Sequence, residues 1–103
     1  MTSTATMIVA GRSVEPSTSV MFRIATERKN VGLVKELLCK RGLDFTILFG
    51  EGGWRGSTEN SMIIELSGVS RTSVQAMALV IKRVNQQEAV LLQEFPVITV
   101  TLL

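Results

Sequence analysis

The sequence predicts a single α+β domain in which two helices lie against one face of an antiparallel sheet. Short segments alternate apolar residues with other residues, as strands do when they bury one face. Two longer segments repeat apolar residues at helical spacing. These elements follow one another as β-α-β-β-α-β, and the 103 residues contain no internal repeat and no second domain.

The N-terminal residues 1–19 are rich in serine and threonine and are predicted to form a flexible arm or an edge strand. Within them, residues 7–10 have the apolar character of a short strand, which Gly11 would end. The folded domain is predicted to span residues 20–103. Its first strand is predicted over residues 20–26, where apolar residues at every second position indicate one buried face.

Residues 31–41 are predicted to form the first helix because their leucines and valines recur at helical spacing. Asn30 is the expected N-cap, and Gly42 is expected to end the helix because glycine tolerates left-handed geometry. Cys39, near the boundary of the apolar stripe, is predicted to be a small core residue.

A long β-hairpin is predicted next, with strands at residues 45–49 and 61–66. The connection between them contains four glycines and the only tryptophan of the chain, Trp54. Glycines relax the backbone and permit the close approach of another chain or a ligand. The tip of this hairpin is therefore the most distinctive surface that the sequence predicts.

Residues 71–85 are predicted to form the second helix, capped by Ser70 or Thr72. Leu79 and Val80 are expected to widen its buried face. Its apolar stripe has the clearest helical spacing in the chain and consists of Val74, Met77, Ala78, Ile81 and Val84.

Two further strands are predicted at residues 89–92 and 97–103, separated by Pro96, which suits an edge or a bend. The complete order is that of a ferredoxin-like β-α-β-β-α-β sandwich with a long central hairpin and an extra C-terminal strand. The helices would cover one face of the sheet only.

The second face of the sheet would be uncovered in a single chain, and it carries Met21, Ala25 and Leu48. Apolar residues make up 46% of the chain and charged residues 19%, so apolar surface is in excess. A domain of this size also buries a limited core. These observations predict a homo-oligomer, a trimer or a higher assembly.

Composition excludes several classes of function. One cysteine and no histidine rule out a disulfide within the chain and a Cys/His zinc site, and favour a reducing, cytoplasmic compartment. No apolar run reaches the ~20 residues that cross a bilayer, so no membrane association is predicted. A net charge of +2 without a basic run does not favour nucleic acid. No cofactor or metal is predicted.

Short motifs resemble those of the CutA proteins and, through the order of elements, the PII signalling proteins. Residues 54–59, WRGSTE, resemble the Trp-x-Gly-x-x-Glu stretch before the third strand of CutA. Residues 88–92, EAVLL, and 95–97, FPV, are similar to the last strands of that family. The resemblance covers roughly residues 20–100. It implies a ferredoxin-like fold and a trimer.

The candidate binding residues are an aromatic ring and charged side chains in or near the hairpin and strand ends. Trp54 offers a stacking surface for a base, and Arg55 a forked contact to phosphate or carboxylate. Glu59 is expected to bond backbone or Arg55. The complete set predicted to line an anion site between subunits is Trp54, Arg55, Arg23, Arg28, Glu59 and Arg71.

The function predicted from these residues is that of a non-enzymatic homo-oligomer which senses or sequesters a small anionic ligand in clefts between subunits. A nucleotide or cyclic nucleotide signal is the expected ligand. Two alternatives remain open. One is a scaffold that binds another protein through its hairpin tips. The other is a small enzyme using the hairpin carboxylates Glu59 and Glu65, although no residue is assigned a catalytic role and no histidine is present.

Overall fold

The computed structural model describes residues 7–9, 12–14 and 20–97. The two helices are α1 (Val31–Lys40) and α2 (Arg71–Val84). The strands are β1 (Met7–Val9), β2 (Arg12–Val14), β3 (Val20–Glu27), β4 (Phe45–Trp54), β5 (Ser57–Ser67) and β6 (Leu91–Pro96).

The main sheet has four antiparallel strands in the order β4-β5-β3-β6. Helix α1 connects β3 to β4, and α2 connects β5 to β6. In each case the two connected strands are separated in the sheet by one other strand. This is the predicted ferredoxin-like arrangement. Strands β1 and β2 pair with each other in a separate two-stranded sheet, so the predicted strand near residue 7 is not an edge of the main sheet. The rest of the prediction for residues 1–19 lies outside the described residues.

The core lies between the helices and one face of the sheet. Strand register places Phe22 opposite Leu66 and Ile24 opposite Ile64, as the alternation in the sequence predicted. Both helices supply fully buried side chains to this cluster, including Leu38 of α1 and Met77 of α2. Burial of this apolar surface is the main force that holds the domain together.

The central hairpin is longer than predicted because its strands continue through the glycine-rich segment. Strand β4 reaches Trp54, which pairs with Ser57, and the turn consists of Arg55 and Gly56 alone. Their φ angles of 49° and 81° are those of a two-residue turn whose twist matches the strands. The predicted long connection was therefore wrong in extent. The sequence pattern misled because glycines without side chains give no alternation to read.

Asn30 occupies the N-cap position of α1, as predicted, but it does not cap the helix in the usual way. Asn30 has a left-handed backbone with φ 51° and makes no side-chain cap bond. Its amide instead donates to the backbone oxygen of Val84, at 3.3 Å, and to Asn85 Oδ1, at 3.0 Å. Cys39 is exposed, so its prediction as a core residue was wrong. The buried face of this helix is narrow and consists of Val34 and Leu38.

Helix α2 begins as predicted, because Ser70 Oγ accepts a hydrogen bond of 3.1 Å from the backbone N–H of Ser73. Val74, Met77, Ala78 and Ile81 are buried as expected. Leu79 is 59% exposed, so it does not widen the core. The helix packs on the sheet through one side only, and Leu79 lies outside that side.

The last described strand is displaced from its prediction. Strand β6 starts at Leu91 and continues through Gln93 and Glu94 to Pro96, which pairs with Val20. Polar residues in the middle of this edge strand concealed it, since an edge strand buries less surface. The predicted strand over residues 97–103 lies outside the described residues apart from Val97. In the part of the chain that is described, neither helix has the length and apolar character needed to cross a membrane.

Neither described helix lies against the second face of the sheet, called here the uncovered face. Met21 and Ala25 are half-buried there, and Leu48 is 46% exposed, in agreement with the prediction. Leu91 of β6 is 55% exposed and adjoins Ala25. Apolar side chains thus follow one another across several strands of this face. Association through it remains a prediction.

Candidate functional site

A cleft of about 530 Å³ lies at the end of the sheet where the hairpin outruns its neighbour. Strand β3 ends at Glu27, opposite Ser61 of β5. The hairpin continues past this point for four more residues of β5, as far as Ser57. The hairpin tip, residues 52–57, therefore projects beyond β3. It meets the segment after α2 through an ion pair of 3.0 Å between Arg55 Nη2 and Glu88 Oε1.

The cleft has one wall from the hairpin tip and one from the segment that joins α2 to β6. Gly52, Gly53 and Trp54 line the first wall, and residues 86–91, called here the cleft loop, line the second. Ala25 and Ile63 lie between the walls. Because these two residues belong to the uncovered face, the cleft is continuous with that face. Trp54 is 51% exposed, so much of its ring is available for contact.

Two carboxylates meet at the end of β3. Glu27 and Glu59 project from the same face of the sheet, since Glu27 pairs with Ser61 and Glu59 lies two residues beyond it on β5. Lys29 Nζ lies 2.8 Å from Glu27 Oε2. The hydrogen bond from this ammonium group is the main cause of the lowered pKa of Glu27, and a hydrogen bond from Glu59 is the second cause. The hydrogen bond to Glu27 raises the pKa of Glu59, because the pair is most stable when one of them holds a proton.

The charge of the cleft is negative on balance. Among the described residues, the lining contains four carboxylates, at Glu27, Glu51, Glu59 and Glu88, and one cation, Lys29. Arg55 lies at the rim, where Glu88 already holds it. A ligand with positive charge would be attracted to this lining, and a ligand with several phosphates would be repelled.

A hydrogen-bonded network of side chains lies behind the cleft loop. Thr26 and Asn85 are 4% and 2% exposed. Asn85 Nδ2 donates to Thr26 Oγ1 at 3.3 Å and to the backbone oxygen of Glu27 at 3.4 Å. Gln87 Oε1 accepts from Thr26 Oγ1 and from the Glu27 backbone N–H. The network connects β3 to the end of α2.

Three of the six predicted site residues come together within one chain. Trp54 and Glu59 line the cleft, and Arg55 lies at its rim. The expected contact between Arg55 and Glu59 is replaced by the Arg55–Glu88 pair. Glu65, offered with Glu59 as a possible acid–base pair, is bound elsewhere.

The other three predicted residues do not line the cleft. Arg23 Nε donates to Glu65 Oε2 at 2.8 Å in the middle of the uncovered face. Arg28 lies 4.1 Å from the centre of the Phe49 ring. Arg71 makes a forked contact of 2.7 to 2.9 Å with Glu94 near the opposite end of the sheet. Their participation in a site shared between subunits stays a prediction.

Several cleft residues were missed from the sequence, among them Glu27, Gln87 and Glu88. A signal existed for the network behind them, because Thr26 follows Phe22 and Ile24 on the buried face of β3 and is polar. No comparable signal marks Glu88, whose contact with Arg55 depends on how far the hairpin extends. Within the described residues, no group of three or more His, Cys, Asp or Glu side chains could hold a metal ion.

Comparison with known proteins gives likeness of structure without likeness of sequence. No family model matches the chain. No curated protein matches it either. Among solved structures, a functionally unknown protein from Pediococcus pentosaceus is similar with a TM-score of 0.51 and 14% identity, over 79% of this chain and 94% of that one. This likeness shows the α+β fold alone.

Two further solved structures are similar at lower scores. A phage SAM lyase in its apo state has a TM-score of 0.49 and 18% identity, over 77% of this chain and 81% of that one. The Bacillus subtilis GlnK–ATP complex has a TM-score of 0.45 and 23% identity, over 76% of this chain and 84% of that one.

Proposed function

We propose that this protein is a homo-oligomeric, non-enzymatic binding protein that holds a small flat ligand in the cleft. The observation that carries the proposal is the cleft of about 530 Å³ with a half-exposed tryptophan on one wall. Its volume is in the range of small-molecule sites. A tryptophan ring gives a flat ligand such as a nucleoside base a surface on which to stack.

The charge of the lining favours a ligand with a positive charge. The sequence predicted an anionic, nucleotide-derived ligand, but Lys29 and Arg55 are each paired with a carboxylate. Phosphates would have to displace both pairs and approach the remaining carboxylates. A nucleoside-like cation would instead place its charge near Glu27 and Glu59 while its ring contacts Trp54. Tighter binding of an anionic nucleotide than of a cationic nucleoside would favour the anionic ligand instead.

The position of the cleft supports a site between subunits. Ala25 and Ile63 belong both to the cleft and to the uncovered face. A second copy that covers this face would therefore lie beside the mouth of the cleft and add residues to it. Residues 54–59 resemble a motif of the CutA proteins, and this resemblance supports a trimer. A trimer with cyclic symmetry would also bury every copy of the interface.

The test is calorimetric titration with ligands that share one ring and one sugar but differ in charge. Adenosine is neutral, 1-methyladenosine carries a positive charge at pH 7, and AMP, cyclic AMP and ATP are anions. We expect 1-methyladenosine to bind most tightly. Trp54→Ala should weaken its binding roughly 10- to 100-fold, whereas Trp54→Phe, which keeps a ring, should weaken it less.

Three other outcomes would each overturn part of this proposal. Tightest binding of ATP or cyclic AMP would overturn the cationic ligand in favour of the anionic one. Conversion of a bound ligand that is lost in Glu59→Gln would overturn the non-enzymatic role. Absence of binding by all five compounds at millimolar concentration would overturn the proposed function and favour a protein-binding scaffold.

A further inference from the structure

Gln87 joins the end of β3 to the backbone of the cleft loop through one carboxamide group. Its Oε1 atom accepts hydrogen bonds from Thr26 Oγ1 and, at 3.3 Å, from the backbone N–H of Glu27. Its Nε2 atom donates to the backbone oxygen of Ala89 at 3.3 Å. Glu27 carries the carboxylate at the end of β3, and Ala89 belongs to the cleft loop.

The hydrogen bonds around Gln87 run in one direction from donor to acceptor. Asn30 Nδ2 donates to Asn85 Oδ1, and Asn85 Nδ2 donates to Thr26 Oγ1. The Thr26 hydroxyl donates in turn to Gln87, which donates to Ala89. Asn85, Thr26 and Gln87 each accept and donate, so the bonds can polarise and strengthen one another. Asn85 and Thr26 are buried, so water is excluded from this part of the chain of bonds.

Both backbone polar groups of Glu27 are held by this network. Gln87 accepts from its N–H, and Asn85 donates to its carbonyl oxygen at 3.4 Å. Strand β6 gives no support here, because its pairing with β3 ends at Ala25 and Leu91. The backbone N–H of Lys29 also donates to the carbonyl oxygen of Glu27, at 2.8 Å. Gln87 therefore holds the N–H of Glu27, whereas Asn85 and Lys29 share its carbonyl oxygen.

We propose that Gln87 is a positioning residue that sets the distance between the Glu27 carboxylate and the cleft loop. The part of this inference that concerns ligand affinity rests on the proposed function. The part that concerns the loop does not, because the bond to Ala89 joins two residues of this chain. Gln87 is half-buried and lies outside the apolar core, so its loss removes polar contacts without creating a cavity between the helices and the sheet.

The test uses Gln87→Met, which keeps side-chain length but removes both the donor and the acceptor. Gln75→Met is the matched control, since Gln75 is exposed on α2 and outside the network. Backbone amide exchange is measured residue by residue, together with the affinity for 1-methyladenosine. We expect exchange at Glu27 and in residues 88–91 to become roughly tenfold faster in Gln87→Met, while buried amides of α2 are unchanged.

Gln87→Glu separates the two contacts. A carboxylate still accepts from Thr26 and from the Glu27 N–H but cannot donate to Ala89. We therefore expect faster exchange in residues 88–91 while Glu27 stays protected. The affinity for 1-methyladenosine should fall roughly tenfold in Gln87→Met and stay unchanged in Gln75→Met.

The results that would overturn the inference are distinct from those that would overturn the proposed function. Unchanged exchange of residues 88–91 in Gln87→Met, or an equal rise at every amide, would show that Gln87 does not position the loop. Absence of ligand binding by the unmodified protein would remove the proposed function, whereas the exchange data would still decide the role of Gln87.

Discussion

Arg55 at the turn of the hairpin and Glu88 in the cleft loop form an ion pair, with 3.0 Å between Nη2 and Oε1. Their side chains are 67% and 65% exposed, so solvent screens the attraction and the pair adds at most about 1 kcal/mol to the free energy of unfolding. Its geometric effect is larger, because it is the contact by which the hairpin tip reaches the opposite wall.

Breaking this pair should therefore affect ligand release more than stability. We expect Arg55→Met and Glu88→Gln each to lower the melting temperature by no more than a few degrees and to speed ligand dissociation several-fold. Dissociation of 1-methyladenosine is measured by stopped flow at low and high salt, because salt screens the attraction between Arg55 and Glu88.

The charge-reversed double variant Arg55→Glu, Glu88→Arg is the control for this prediction. It restores an ion pair with opposite polarity and should return dissociation toward the original rate. Equal dissociation rates in all four proteins would contradict a role for the pair in holding the ligand.

The pKa of Glu59, raised above 4.5 by Glu27, predicts a specific pH dependence of stability. Between 4.5 and the raised value, the folded chain binds more protons than the unfolded chain. Stability contributed by this group therefore falls as pH rises through that window. Glu27 has the opposite effect, since its lowered pKa adds stability that is lost as pH falls below 4.5.

Glu59→Gln should remove the first effect, because glutamine can hydrogen-bond to Glu27 without titrating. We expect the variant to be more stable than the unmodified protein at pH 7 and to lose this advantage as pH falls toward 4.5. Thermal unfolding between pH 4 and 7 measures the difference. Glu51→Gln serves as the control, because Glu51 is a carboxylate of the same lining. Identical pH profiles for Glu59→Gln and the unmodified chain would refute the coupling between Glu59 and Glu27.

Association of subunits through the uncovered face predicts that a charge at Leu48 is more disruptive than a charge at an equally exposed site. Leu48 is 46% exposed on that face, and Leu79 is 59% exposed on the outer side of α2. We expect Leu48→Glu to shift the particle from an oligomer to a monomer, while Leu79→Glu leaves its mass unchanged. Light scattering after size-exclusion chromatography measures both masses. A monomer in the unmodified protein would contradict the predicted assembly.

The sequence was sufficient to predict most of the fold because the core follows simple periods. Phe22 and Ile24 alternate in β3, and Val74, Met77 and Ile81 recur at helical spacing in α2. Strand β6 was displaced because its middle residues are polar and its edge is solvated. The extent of β4 was missed because glycine shows no preference for either face.

The candidate site was predictable only where a residue type was unusual. Trp54 and Glu59 stood out within the hairpin and do line the cleft. Glu27, Gln87 and Glu88 did not stand out, because their importance comes from contacts between distant parts of the chain. The local sequence indicates which residues are buried. The contacts between β3, the hairpin tip and the cleft loop depend instead on the twist and length of the strands.

The location of Trp54 gives the chain a built-in optical reporter. The sequence contains one tryptophan and no tyrosine, so ultraviolet emission excited at the indole band comes from Trp54 alone. Its half-exposed ring faces the same space as the carboxylates. Quenching or a colour shift of this emission would therefore follow occupancy directly, in dilute solution and without any attached dye.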